Sequence, residues 1–112
     1  MAKVTRGDAI NAATTALGNL QDYELVASGV RTSLDWLATE HPGRAVEVRV
    51  PPYRAVQILG GTTHRRGTPP AVVEMSAQTW LELFTKKLTW GDALSSGQVI
   101  ASGERSDLSE LF

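Results

Sequence analysis

Residues 43–59, GRAVEVRVPPYRAVQIL, decide the fold of this chain because the spacing of its apolar residues changes there. In VEVRV, at 46–50, three valines alternate with two charged residues, which is typical of a strand with one buried and one solvated face. The segment YRAVQIL predicts a second strand with a less regular alternation. Pro51 and Pro52 cannot adopt the positive φ angles of a tight two-residue turn, so a longer loop or a bulged edge joins the strands. The sequence does not define their register.

Two helices are predicted before this segment. DAINAATTALGNL, at 8–20, has apolar residues three and four positions apart, and Asp8 is the expected N-cap. The stretch 26–38 has a stronger apolar stripe, and HPG at 41–43 ends it. We therefore expect the second helix to lie on the core.

After the second strand, strands and helices are predicted in a mixed order. The expected elements are a strand at 71–76, a helix capped by Ser76, a short helix starting at Thr89, a strand at 98–102 and a last helix capped by Ser106. The order α-α-β-β-β-α-α-β-α indicates an α+β domain, with a largely antiparallel sheet and helices gathered on one face.

Composition limits the classes of function. The 112 residues are 42% hydrophobic and 21% charged, as in one ordinary globular domain, here 1–112. Eleven basic and twelve acidic residues give a net charge of −1, so no overall field attracts nucleic acid. The absence of cysteine excludes disulfides and thiolate chemistry. We expect a cytoplasmic protein without an export signal or a membrane-spanning segment.

Catalytic and metal-binding patterns are weak. His41 and His64 lie in different predicted turns, and neither has further ligands at a metal-binding spacing. The serines fall at predicted caps and turns, and no nucleophile-elbow motif occurs. We therefore predict no catalytic residue, no metal and no cofactor.

The loop THRRGTPP, at 63–70, carries the candidate polar site. His64, Arg65 and Arg66 place three donors together, and such a cluster could hold the carboxylate or phosphate of a ligand head group. Adjacent arginines on a loop can equally be solvated and keep a sheet edge soluble. The sequence leaves both interpretations open.

The three tryptophans lie on three different predicted helices. Trp36, Trp80 and Trp90 could border one apolar space between helices and sheet, or they could be ordinary core residues.

The sequence from 25 to 112 resembles the sterol carrier protein family. The C-terminal part, VVEMSAQTWLELFTKKLTWGDALSSGQVIASGERSDLSELF, has the order of that family's C-terminal half. GRAVEVRVPPYRAVQ and HRRGTPPAVVEM are similar to a bacterial sub-group of small, stand-alone orthologues. Lys86-Lys87 departs from the Gly-Lys pair that is frequent in the wider family. Residues 1–24 form an N-terminal helical extension without a counterpart.

This resemblance implies a sheet of about five strands that encloses, with its helices, an apolar tunnel for an acyl chain, a sterol or a similar lipid. A fifth strand would come from TTHRRG at 62–67 or from another segment predicted above as a loop. Family members of this kind bind and carry lipids without catalysing a reaction. The apolar side chains that would line the tunnel are Val46, Val48, Val56, Ile58, Trp80, Leu83, Phe84, Leu94 and Leu108.

Two functions of different classes remain. The first is non-catalytic binding of a fatty acyl, sterol-like or isoprenoid ligand, with the 64–66 cluster near its head group. The alternative is a protein-interaction or homodimerisation module in which the same apolar residues pack into a closed core. An accessory role in acyl transfer would rest on analogy of fold alone.

Overall fold

The structure, a computed structural model, describes residues 3–60, 70–103 and 106–112. The strand predicted at 62–67 lies outside these residues. The elements are α1 (Arg6–Leu17), α2 (Tyr23–Glu40), β1 (Val46–Val50), β2 (Arg54–Ile58), β3 (Ala71–Met75), α3 (Ala77–Phe84), α4 (Trp90–Ser95), β4 (Val99–Ser102) and a 3₁₀ turn (Ser109–Leu111). The α+β class is confirmed, and the predicted order of elements is confirmed as far as β4.

The described residues form one four-stranded mixed sheet with the order β2-β1-β3-β4. β1 is antiparallel to β2 and parallel to β3, and β3 is antiparallel to β4, so the sheet is mostly antiparallel, as predicted. Val48 lies opposite Val56 on one side and Val73 on the other. Val50 pairs with Arg54, so the connection through the prolines has three residues and is not a two-residue hairpin.

The alternation in β1 and β3 defines the two faces of the sheet. The three valines of β1 are fully buried, and the residues between them are partly or fully exposed. β3 shows the same pattern, and the other face carries charged residues together with Ile100, which is 67% exposed. α2 packs against α1 and β2, α3 contacts α1 and α2, and α4 contacts β4. The helices therefore cover one face, as predicted.

The start of α1 differs from the prediction. Thr5 is the N-cap, and its Oγ1 accepts a hydrogen bond of 3.0 Å from the Asp8 amide, while the Asp8 carboxylate accepts one of 3.0 Å from the Thr5 amide. This reciprocal pair is a capping box, in which the acidic residue stands three positions after the cap. The prediction of Asp8 as N-cap was wrong because the apolar spacing alone does not locate the first turn.

The last predicted helix is also shorter than expected. Only Ser109–Leu111 forms a turn, of the 3₁₀ type, and no side chain caps it. Asp107 instead accepts a hydrogen bond of 3.0 Å from the Ser109 amide. Ser106 is therefore not a cap, and Leu108 is buried in the core.

A seam of small residues joins α1 to α2. Ala9, Ala13 and Ala16 are fully buried on α1, and a Cβ added at Gly29 would lie 2.6 Å from the Ala16 Cβ. The two backbones can approach closely because only a hydrogen stands at Gly29. This contact fixes α1 against the rest of the domain.

Candidate functional site

Five aromatic rings form one cluster at the helical side of the domain. The Phe84 ring lies 5.8 Å from Trp36 and 5.4 Å from Trp80. The Phe112 ring lies 5.7 Å from Trp80, edge to face, and 6.0 Å from Trp90, almost parallel to it. These distances are those of attractive aromatic pairs. The cluster brings together the three tryptophans that the sequence places on different helices.

A cleft of about 250 Å³ opens on one side of this cluster, and we call it the Trp36 cleft. It lies where α1, the end of α2, the end of α3 and the 3₁₀ turn meet. Its wall is apolar and aromatic, and its rim is charged. The wall residues are Trp36, Phe84, Leu111 and Phe112, and the rim residues are Arg6, His41, Lys86 and Glu110.

A second cleft of about 340 Å³ opens on the other side, and we call it the Trp90 cleft. It lies between the end of α3, the start of α4 and the 3₁₀ turn. Its lining is more apolar and contains one cation. The lining residues are Leu83, Lys86, Leu88, Thr89, Trp90, Gly91, Ser109 and Phe112.

Lys86 and Phe112 stand between the two clefts and line both. The Lys86 ammonium donates a hydrogen bond of 3.3 Å to the main-chain oxygen of Phe112. The Phe112 ring packs between Trp80 and Trp90. The two clefts are therefore neighbours, and the Phe112 ring and the Lys86 side chain separate them.

Lys86 has a left-handed backbone, with φ of 63°. It follows Thr85, the C-cap of α3, at the position where glycine is usual because side chains disfavour positive φ. A lysine there keeps the cation at the cleft at a cost in backbone strain.

Trp80 forms the back of the aromatic cluster. It is fully buried, and its indole Nε1 donates a hydrogen bond of 2.8 Å to the hydroxyl of Ser33, also fully buried. The bond joins α3 to α2 directly behind Phe84. The ring that supports both clefts is thus held in one orientation.

Trp90 has a different polar environment. Its Nε1 is buried without a hydrogen bond of ordinary geometry among the described residues. The nearby Asp107 has a lowered pKa, mainly because its carboxylate accepts hydrogen bonds from Ser109, with a smaller contribution from Trp90. The Trp90 indole is therefore held mainly by packing, against Phe112 above all.

Some of the predicted lining residues lie at these clefts. Phe84 lines the Trp36 cleft and Leu83 lines the Trp90 cleft. Trp80 lies directly behind them and contacts the rings of Phe84 and Phe112.

Other predicted lining residues belong to the packed interior. Val46, Val48, Ile58 and Leu108 are almost completely buried within one apolar cluster, and Val56 is half-buried against it. Leu94 lines neither cleft: its side chain is 40% exposed, because Ala93 takes the inward position of the short helix α4. The head-group candidates His64, Arg65 and Arg66 lie outside the described residues.

Several residues at the clefts, among them Arg6, His41, Lys86 and Phe112, were missed by sequence reasoning. Arg6, His41 and Lys86 come from three separate elements, so no local motif unites them. His41 was predicted only to lie in a turn. The position of Phe112 between the clefts depends on the fold. One feature of the sequence could have indicated a site here, namely that Lys86 stands where the wider family frequently has glycine.

Nothing in the described residues suggests a metal site or a membrane span. No group of three or more histidine, aspartate and glutamate side chains is placed to hold a metal within the described ranges. None of the helices found there combines the length and the apolar character needed to cross a bilayer.

These observations define a small α+β domain with helices on one face of a mixed sheet and two aromatic clefts at its helical side. The sequence of residues 22–112 matches the family described as bacterial SCP orthologues, where SCP stands for sterol carrier protein. The chain belongs to this family. The matched range contains the sheet, α2 and both faces of the aromatic cluster, and α1 precedes it. None of the curated proteins matches the sequence.

Proposed function

We propose that the protein binds a single-chain apolar ligand, such as a fatty acyl or isoprenoid chain, and carries it without catalysing a reaction. Membership of a sterol-carrier-protein family supports lipid binding in general. The observation that carries the proposal is the pair of aromatic clefts that meet at Phe112. Their volumes lie near the low end of the range for small-molecule sites.

The clefts suit a narrow chain better than a rigid ring system. Each is lined by aromatic or leucine side chains, and Phe112 and Lys86 divide them. A flexible tail can bury apolar surface in either cleft, and it can cross between them when the Phe112 ring rotates aside. We propose Leu83 and Phe84 as direct contacts.

The interior residues have a supporting role in this proposal. Val46, Val48, Val56, Ile58 and Leu108 form the packed wall behind the clefts. We propose His64, Arg65 and Arg66 as an alternative set of head-group contacts, to be tested by replacing the two arginines with glutamine. We also propose that the protein acts in the cytoplasm, where a chain without cysteine needs no oxidising conditions.

Binding is tested by titrating the protein with 1-decanol and with a fluorescent fatty acid below their aggregation concentrations. Trp36 and Trp90 line the two clefts, so binding is expected to change tryptophan fluorescence. Trp36→Phe and Trp90→Phe assign the change to a cleft. Absence of both a fluorescence change and displacement at micromolar concentrations would contradict the proposal.

A substitution that fills the Trp90 cleft gives a sharper test. A Cβ added at Gly91 meets nothing within 4 Å, so Gly91→Phe can be accommodated and its ring would occupy the cleft. We expect weaker binding of the probe. Ser95→Phe is the matched control, because Ser95 is exposed on the same helix and lines neither cleft. Equal effects of the two substitutions would count against this site.

A further inference from the structure

Three nitrogen-bearing side chains from three elements converge on the rim of the Trp36 cleft. Arg6 comes from the first turn of α1, His41 from the C-cap of α2 and Lys86 from the residue after the C-cap of α3. Glu110 is the acidic residue among the lining side chains. Among the rim side chains, the two permanent cations of Arg6 and Lys86 therefore outnumber the one carboxylate, of Glu110.

Arg6, His41 and Lys86 make no ion pair with another side chain among the described residues. The three ion pairs found there join Lys3 to Glu40, Arg49 to Glu47 and Arg54 to Asp35. Within the same residues, Lys86 donates to the Phe112 main-chain oxygen, and no side-chain hydrogen bond is formed by Arg6 or His41. Their donor groups are available to an anion in the cleft.

Two of these residues stand at positions that local structure disfavours. Arg6 is the first residue of α1, where a positive side chain opposes the positive end of the helix dipole. Lys86 has a positive φ that favours glycine. Residues that depart from local preference are expected where function requires them. A bound anion would relieve the repulsion at the start of α1.

We propose that the Trp36 cleft binds the head group of an anionic amphiphile, with a carboxylate or a phosphate held by Arg6, His41 and Lys86. The proposal rests on the proposed function, since the tail occupies the apolar wall of Trp36, Phe84 and Phe112. Arginine and lysine form charge-assisted hydrogen bonds with both kinds of anion. Arg6 precedes the range 22–112, so this cation lies outside the part of the chain that matches the family.

The test compares ligands that share a ten-carbon tail and differ in the head group. Decanoate and decyl phosphate are titrated beside 1-decanol and decyltrimethylammonium, with tryptophan fluorescence and calorimetry as measurements. We expect the two anions to bind about tenfold more tightly than the alcohol. A tenfold ratio corresponds to the net free energy of about one charge-assisted hydrogen bond. The cation should bind more weakly than the alcohol. Acetate and inorganic phosphate, which lack the tail, should not bind at millimolar concentrations.

Matched substitutions identify the residues responsible. Lys86→Gln and Arg6→Gln are each expected to lower the ratio of the decanoate affinity to the decanol affinity several-fold. Lys87→Gln and Arg31→Gln are the controls, because these exposed cations lie beside the same elements and line neither cleft. Thermal unfolding of each variant shows whether it folds.

The outcomes separate the two proposals. Binding of decanol without preference for the anions would overturn the anion site and leave the proposed function standing. Failure of every ten-carbon probe to bind would overturn both. If Lys86→Gln and Lys87→Gln reduced the preference for decanoate equally, the cause would be the general electrostatic field and not contact in the cleft. This result would overturn the proposed anion site. If inorganic phosphate alone bound tightly and Lys86→Gln abolished that binding, the cleft would be a site for a free anion. This result would overturn the proposal of an amphiphilic ligand.

Discussion

Trp80 and Ser33 are joined by a hydrogen bond in the interior, with 2.8 Å between the indole Nε1 and the hydroxyl oxygen. Both side chains are fully buried, and they lie 47 residues apart in the sequence. The Ser33 hydroxyl donates in turn to the Gly29 carbonyl at 2.6 Å, so both groups are satisfied. A buried tryptophan needs such an acceptor, because an unpaired donor in the core is costly. This bond fixes the ring that supports both clefts.

Replacing Ser33 with alanine removes the acceptor and leaves the Trp80 N–H unpaired. We expect the free energy of unfolding to fall by about 1–3 kcal/mol, measured by urea denaturation with tryptophan fluorescence. Thr39→Ala is the matched control, since Thr39 lies on the same helix and its hydroxyl makes a similar bond to Asp35 at an exposed position. In a Trp80→Phe background, where the indole N–H is absent, Ser33→Ala should lower the free energy of unfolding no more than Thr39→Ala does. An equal effect in both backgrounds would show that the hydrogen bond is not the cause.

Gly29 controls how closely α1 approaches α2. A Cβ there would lie 2.6 Å from the Ala16 Cβ and 2.8 Å from the Ala12 carbonyl oxygen, so Gly29→Ala forces the helices apart. Overpacking of this kind costs about 1–3 kcal/mol. Gly91→Ala is the control, since a Cβ at that helical position meets nothing within 4 Å, and we expect it to be neutral or slightly stabilising.

Hydrogen exchange shows where the effect of Gly29→Ala falls. The amides of α1 should lose more protection than those of the sheet, because the seam is the main contact of α1. Since α1 carries Arg6, the same variant should reduce the preference for anionic probes. Uniform loss of protection over the whole chain would contradict this assignment.

Glu47 makes the sheet surface sensitive to acid. Its pKa is lowered mainly by the hydrogen bond from Arg49, with a further one from Gln57 and with partial burial acting in the opposite direction. Because the folded pKa lies below the unfolded value of about 4.3, the contribution is present above that pH and is lost as the pH falls through the folded pKa.

We therefore expect Glu47→Gln to cost about 0.2–1 kcal/mol at pH 7, with the difference from the unsubstituted protein shrinking as the pH falls below about 4.3. Urea denaturation at several pH values between 3 and 7 measures it. Glu74→Gln is the comparison, because Glu74 lies opposite Arg49 on the same face without a hydrogen bond to it. A cost for Glu47→Gln that is independent of pH would refute the assignment to the carboxylate.

The sheet and most helix boundaries could be predicted because they depend on local patterns. The alternation in VEVRV specifies a strand with one buried face, and Ser76 and Thr89 accept the hydrogen bonds expected of N-caps. The start of α1 was misplaced because Thr5 and Asp8 are both good capping residues, and only their reciprocal bonds distinguish the roles.

The clefts could not be predicted because their residues meet only through the tertiary fold. Arg6, His41 and Lys86 are separated by 35 and 45 positions in the sequence. Their convergence depends on the α1–α2 seam and on the turn after α3. The partner of Trp80 was also unpredictable, since Ser33 is one of several serines and threonines on the predicted helices. The burial of the apolar residues could be foreseen, but the places where packing leaves space could not.

The last prediction concerns Lys86→Gly. This substitution should relieve backbone strain and raise the stability of the protein, but it should weaken the binding of an anionic ligand. Lys86→Gly relieves the positive φ of 63°, which costs a side chain about 1–2 kcal/mol. The gain is partly offset by the greater chain entropy of glycine in the unfolded state and by loss of the bond to the Phe112 oxygen. We expect the free energy of unfolding to rise by about 0.5–1 kcal/mol. The same variant should lower the ratio of the decanoate affinity to the decanol affinity several-fold.

Lys87→Gly is the control, since Lys87 has no left-handed backbone and lines neither cleft. It should lower the free energy of unfolding slightly and leave binding of both probes unchanged. Lys86→Asn separates the two effects further, because asparagine tolerates a left-handed backbone and carries no positive charge. If Lys86→Gly were less stable than the unsubstituted protein, the strain would not be relieved by glycine. If it bound decanoate normally, Lys86 would be retained for its bond to Phe112 and not for an anionic head group.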